Sequence, residues 1–273
     1  MRPLVFFAVA SFAAAAPLEI VRPILSDSDG GAAFASGSAH SPGETIFFSC
    51  RVRNYQKTPE EKMSISYSVE AFDAKGVPLV EPVKNAISEE AGPKDKDWMP
   101  RIATEIALPP LIASGTYQIV VSVEDLIAKS KAQLMVPFEV RGHSVKPSAA
   151  LTIENLRFFR SEDDTEPLAN PLYHPGDAVW TKFDITGFRY GANNKIDVSY
   201  VVSVLDQSGK VLWTQSTPTS EQTSSFYPKL WIPASMSITT QPNTRAGSYG
   251  IAIQVKDGVG NQAYETKAPF AVQ

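Results

Sequence analysis

The chain carries the same landmarks twice. Ser41-Pro42-Gly43-Glu44 returns as His174-Pro175-Gly176-Asp177, and Ile65-Ser66-Tyr67 returns as Val198-Ser199-Tyr200, both 133 residues apart (42 to 175, 67 to 200). Further on, Gly115-Thr116-Tyr117 matches Gly247-Ser248-Tyr249, Asp125 matches Asp257, and Pro137-Phe138 matches Pro269-Phe270, all at a separation of 132 (117 to 249). Landmarks that keep their order and spacing over most of each half mark two copies of one structural unit. Within 273 residues that leaves each copy the size of an ordinary domain. Residues 17–142 are expected to form the first domain and 150–273 the second. The stretch Arg141 to Ala149, rich in small residues with Gly142 and Pro147, supplies a linker at 143–149.

The pattern inside each copy is that of β-strands. Ile46, Phe48, Cys50 and Val52 alternate with Phe47, Ser49 and Arg51, a period of two that sends one set inward. At the repeat offset the inward set becomes Val179, Thr181, Phe183 and Ile185, so Cys50 corresponds to Phe183 and reads as a small core side chain. Ile65, Tyr67, Val69 and Ala71 form the next alternating strand, matched by Val198, Tyr200, Val202 and Val204. Both run into an Asp-x-x-Gly turn, Asp73 to Gly76 and Asp206 to Gly209. A later hairpin pairs Tyr117, Ile119, Val121 and Val123 with a return strand ending at Phe138 and Val140, and recurs as Tyr249 to Val255 with Phe270 and Val272. The Pro-bounded stretches 82–100 and 218–233 read as loops or edge excursions. No segment has a helical period, and short strands separated by turns define an all-β chain of two-sheet sandwiches.

The run from Ala246 to Asn261, with Gly247-Ser248-Tyr249 opening it and Asp257-Gly258 closing it, resembles the penultimate strand and turn of bacterial immunoglobulin-like domains. That group includes fibronectin type III-like, cadherin-like and polycystic-kidney-disease-type modules. Gly115 to Asp125 is similar but lacks the Gly-Asn turn. The resemblance implies two tandem immunoglobulin-like β-sandwiches and a tyrosine corner at Tyr117 and Tyr249. The inter-sheet disulfide of antibody domains is missing, because the chain has one cysteine.

Arg2, the apolar run Leu4 to Ala10 and the alanines at 13–16 read as a signal peptide over residues 1–16, followed by secretion or release to a periplasm. The apolar stretch ends at Pro17, short of the ~20 residues a membrane span requires. A formal net charge of -4 without a basic tail gives no footprint for nucleic acid.

The chemistry-bearing residues point away from catalysis. His40, His143 and His174 sit in expected loops or linker without a His-Glu-x-x-His pair, and no Gly-x-Ser-x-Gly elbow occurs. No cofactor is expected. Asp27 and Asp29, and the run Glu162-Asp163-Asp164 with Glu166, read as solvated loop carboxylates, with calcium as the alternative. Aromatic residues are the candidates for contact with a ligand or partner: Trp180 and its repeat equivalent Phe47, the group Phe226, Tyr227 and Trp231, and Trp98. The expected function is a non-catalytic secreted or periplasmic protein that is structural or binds a protein partner. The alternative is a carbohydrate-binding module that stacks those aromatics on an envelope or extracellular glycan.

Overall fold

The computed structural model describes residues 16–92, 94, 95 and 97–273. The signal-peptide reading falls on residues 1–16, of which 1–15 lie outside the described residues. The first repeat contains β1 (Glu19–Ser26), β2 (Ala39–His40), β3 (Thr45–Arg53), β4 (Lys62–Phe72), β5 (Val83–Glu90), β6 (Arg101–Ala107), β7 (Gly115–Asp125) and β8 (Lys131–Val140). The second contains β9 (Thr152–Phe159), β10 (Leu172–Tyr173), β11 (Ala178–Thr186), β12 (Ile196–Asp206), β13 (Val211–Thr214), β14 (Thr219–Thr223), β15 (Trp231–Thr239), β16 (Gly247–Asp257) and β17 (Gln262–Val272). Among the described residues there is no α-helix, only a 3₁₀ turn at Ala192–Asn194. The Pro-bounded stretches hold β5, β14 and the start of β15, with their remaining residues in the connections between strands. Two compact units emerge: one takes residues to Ser38 with Thr45–Ala107 and Tyr117–Phe138, the other Ala39–Glu44, Leu108–Thr116 and Glu139–Gln273.

The sheet order of the first repeat is β1-β3-β6 and β2-β8-β7-β4-β5. In the second it is β9-β11-β15 and β10-β17-β16-β12-β13, with β14 also on β12. The two orders coincide, down to the short parallel pairing of β2 with β8 and of β10 with β17, except that β5 answers to β14 and β13 has only the Phe72–Pro78 bridge as its counterpart. The alternation read from the sequence determines what is buried. Ile46, Phe48, Cys50 and Val52 are at most 1% exposed, and Val179, Thr181, Phe183 and Ile185 at most 2%. Burial pushes the Cys50 thiol up to about 12, leaving it neutral and inert. In the second repeat one core cluster joins both sheets: Phe183 and Ile185 of β11 pack in it with Val202 of β12, Ile253 of β16 and Phe270 of β17. Each such fully buried aliphatic side chain contributes about 1.5–3 kcal/mol.

The repeated landmarks turn out to be polar ties. Asp73 Oδ1 accepts the Lys75 and Val77 N–H groups at 2.8 Å. Asp206 Oδ1 accepts those of Ser208 and Lys210 at 2.8 and 3.0 Å. Gly76 and Gly209 close these turns at φ 79° and 84°, a conformation that costs a side-chain-bearing residue. Asp125 is 1% exposed and accepts the N–H groups of Gln56, Ile127 and Ala128 at 2.6 to 3.2 Å. Asp257 is 2% exposed and accepts those of Arg189, Val259 and Gly260 at 2.9 to 3.0 Å. Each buried carboxylate thereby joins the end of a strand in one sheet to the connection arriving from the other, with its own hydrogen-bonding demand met. Tyr249 Oη donates to the Arg245 carbonyl at 2.8 Å, four residues back, which is the tyrosine-corner geometry. Its ring stacks on Phe270 at 5.7 Å, and Tyr117 stacks on Phe138 at the same distance.

Candidate functional site

The six aromatics singled out in the sequence do not share one surface. Trp180 and Phe47 are half-buried at equivalent positions of β11 and β3. Trp98 is half-buried and meets Tyr55 edge-on at 6.3 Å. Phe226 is 44% exposed, but Tyr227 and Trp231 are 7% and 3% exposed and offer no stacking face, which corrects their reading as surface aromatics. The cause for Trp231 is that it begins β15, pairing with Thr186, instead of sitting in a loop. Trp180 lies opposite Ser237 on the same ladder, six residues away and therefore roughly 20 Å from Trp231 at ~3.3 Å per residue.

The histidines also depart from expectation. His40 is 3% exposed on β2, with Nδ1 3.0 Å from Glu44 Oε1. Burial acts against ionisation of Glu44, but hydrogen bonds from His40 and the Ser41 N–H outweigh it and hold the carboxyl below its usual range. His143 Nε2 lies 2.6 Å from Oδ2 of the buried Asp184, which also accepts from Asn155 Nδ2 at 2.7 Å. The His143 ring packs 5.9 Å from Trp231, so this contact anchors the chain leaving β8 onto β11. The loop carboxylates are engaged locally: Asp29 pairs with Arg101, and Asp164 accepts the Arg160 and Ser161 N–H groups at 3.1 and 3.0 Å. Among the described residues no group of three or more His, Cys, Asp or Glu side chains is placed to hold a metal ion.

A different surface stands out, and it lies in the second repeat. The turn after β12 leads into β13, whose four residues are all exposed; Val211, Leu212 and Trp213 stand at 54%, 53% and 47%. The ladder pairs Leu205 with Val211 and then Val204 with Trp213, so Leu212 is the extra residue of a β-bulge. A bulge bends the strand and re-aims its side chains, which accounts for three consecutive apolar residues facing outward. Beside β13 opens a cleft of about 640 Å³ that runs inward between the two sheets. Its floor is core: Val179 of β11 with Phe270 and Val272 of β17, all at most 5% exposed. Its walls are Leu212 and Trp213 on one side, Ser237 and Ile238 of β15 on another, and the 240–244 turn with Tyr249 at the end.

The first repeat is built differently at the same places. Thr240 corresponds to Leu108, and the backbone agrees: the Thr240 N–H donates at 2.9 Å to the carbonyl of Asp177 before β11, and the Leu108 N–H at 2.9 Å to that of Glu44 before β3. Thr244 corresponds to Ile112 (112 to 244) and Leu212 to Leu79 (79 to 212). Leu79, Leu108 and Ile112 are 1%, 2% and 0% exposed. Where the first repeat has three buried apolar side chains, the second has two threonines and an outward leucine. Sequence reasoning passed over Trp213 altogether. The run Val211-Leu212-Trp213 was visible, but three successive apolar residues do not by themselves mark an exposed strand, since Ile119-Val120-Val121 of β7 are all buried.

Fold and site together define an all-β protein of paired sheets with an uncharged cleft at one corner of its second repeat. No helix among the described residues is long and apolar enough to cross a membrane. No protein-family model matches the chain, and neither does any curated protein. Among solved structures it is similar to a family 123 glycoside hydrolase from Clostridium perfringens, studied for glycolipid glycan hydrolysis. There the identity is 13%, covering 45% of this chain and 27% of that one, at a TM-score of 0.32. It is similar to red sea bream transglutaminase at 5% identity over 94% of this chain and 31% of that one, TM-score 0.29. The C-terminal domain of the AgI/II polypeptide BspA of Streptococcus agalactiae matches at 11% identity over 92% of this chain and all of that one, TM-score 0.31. The chain thus spans less than a third of the hydrolase and of the transglutaminase, and at these TM-scores none of the three defines its function.

Proposed function

We propose that this chain is a non-catalytic exported interaction protein made of two tandem immunoglobulin-like sandwiches, with the second presenting the recognition surface. The repeated strand order, the tyrosine corner at Tyr249 and the Asp125 and Asp257 ties support the immunoglobulin-like reading. The observation that carries the recognition reading is the bulged edge of β13, which holds Val211, Leu212 and Trp213 in solvent beside a cleft reaching the core. Leaving that much apolar surface wet disfavours the isolated protein, and surfaces of this kind mark contact sites. The buried polar groups described above serve folding, and the domains act as rigid supports for the exposed corner.

The test is retention on insoluble envelope material from the source cells. The full chain is expected to bind saturably without releasing products, and Leu212→Asp, which places a charge on the exposed edge, is expected to weaken retention. Absence of saturable binding, or turnover of the envelope material, would overturn the reading.

A further inference from the structure

We propose, resting on that reading, that the corner cleft of the second repeat is a binding site for a neutral oligosaccharide, with the Trp213 indole as its stacking platform. Three observations converge on this ligand class.

The first is electrostatic. Fourteen residues line the cleft and none is Asp, Glu, Lys, Arg or His, in a protein where these acidic and basic residues are common. Phosphate, carboxylate and ammonium groups are recognised by opposite charge or by charge-assisted hydrogen bonds, and the cleft supplies neither. An ionic ligand would lose its hydration there without compensation.

The second is the mixture of surfaces. Trp213 and Leu212 provide an apolar platform, while Gln241 and Asn243 are exposed around the opening and the half-buried Thr244 lines it with a hydroxyl. Hydroxyl and amide side chains both donate and accept, which matches the hydroxyls around the edge of a pyranose ring. The axial C–H faces of such a ring match the flat indole. Among the described residues the Gln241 and Asn243 amides make no side-chain hydrogen bond, whereas the Thr240 hydroxyl is spent on Gly176, His174 and Asp177. A wholly apolar occupant, such as an acyl chain or the face of a helix, would leave these rim amides and the Thr244 hydroxyl covered and unpaired, at a cost. The cleft's 640 Å³ falls within the ~300–1,000 Å³ common for small-ligand sites.

The third is the contrast between repeats. Leu79, Leu108 and Ile112 show that this fold accommodates buried apolar side chains at these positions. The second repeat has exchanged two of them for threonine and turned the third outward through a bulge. The open corner is therefore a property of this repeat's own sequence and is not imposed by the fold.

The experiment titrates the full chain with maltotetraose, cellotetraose, xylotetraose and chitotetraose, following Trp fluorescence and heat. At least one is expected to bind, with Trp213→Ala lowering its affinity tenfold or more. Thr244→Ile, which restores the first repeat's residue, is expected to abolish binding while the melting temperature is kept or raised. The same sugar should release the chain from envelope material. If none of the four binds at up to about 10 mM, or if Trp213→Ala and Thr244→Ile bind as tightly as the parent, the proposal is wrong. Envelope retention that no sugar competes would overturn the glycan assignment and leave the interaction reading standing, whereas loss of all envelope retention would remove that reading too.

Discussion

At the residue scale, Thr181 is the position where the interior is least satisfied. It is 0% exposed at the centre of β11, and its Oγ1 has no hydrogen-bond partner among the described residues. Its counterpart in the first repeat is Phe48, an ordinary core side chain. An unpaired buried hydroxyl carries a desolvation cost that a methyl group of the same shape does not, so Thr181→Val is expected to stabilise the fold by about 1–2 kcal/mol. Urea denaturation measures this, and a lower midpoint would show that the hydroxyl has a partner after all. Burial at this scale was legible from the strand period: Cys50 and Phe183, 133 positions apart, are both buried as the alternation requires. Tyr227 and Trp231 were not legible, because a Pro-bounded stretch gives no periodicity to say that one of them begins a strand. His40 was missed for a related reason, since β2 is two residues long and too short to show a pattern.

At the scale of elements, the central strands announce themselves and the edges do not. β3 alternates throughout, and β4, β12 and the second half of β16 along most of their length, because one face of each is packed on a core. β7 and β11 begin in alternation and then bury consecutive residues, Ile119 to Val121 and Phe183 to Thr186. β5 reads Val-Lys-Asn-Ala-Ile-Ser-Glu-Glu and β14 Thr-Ser-Glu-Gln-Thr, polar edge sequences that only the pairing with β4 and β12 turns into strands. Charged and polar edges of this kind resist unwanted pairing. β13 is the exception, and its apolar exposure predicts a contrast between repeats. Leu79→Ala, at a buried position, is expected to cost about 2–5 kcal/mol. Leu212→Ala, at the equivalent exposed position, is expected to change stability by about 0.5 kcal/mol or less. Equal losses in the two variants, measured by the same denaturation, would mean that the bulged edge is folded back onto the core.

At the scale of the whole molecule, stability rests on packing and on many small polar ties, since the one cysteine rules out any internal disulfide. Several of those ties titrate in one direction. A hydrogen bond from Arg101 holds Asp29 below the usual carboxylate range, hydrogen bonds from Ser161 do the same for Asp164, and the His174 N–H does so for Asp177. Asp206 is lowered by its bond from Ser208, and Glu221 by its bond from Lys229. A carboxyl whose folded value lies below its unfolded one adds stability above the unfolded value, and that stability is lost as pH falls through the folded value. With unfolded values of about 3.9 for Asp and 4.3 for Glu, the melting temperature is expected to stay level down to about pH 5. It should then fall steadily below about pH 4. A melting temperature that rises on acidification would contradict the sign of every one of these ties.

The duplication was visible at this largest scale because turn residues and strand ends are repeated. The open corner was not, because it depends on what a pair of threonines fails to fill. Hydrogen exchange of the intact chain, read by mass spectrometry, reports on the duplicated cores and the open corner together. Two blocks of slow exchange are expected, at β3, β4 and β7 and at β11, β12 and β16, with β13 and residues 240–244 exchanging fast beside the second block. A β13 protected as strongly as β12, or a second repeat without a protected centre, would contradict this arrangement.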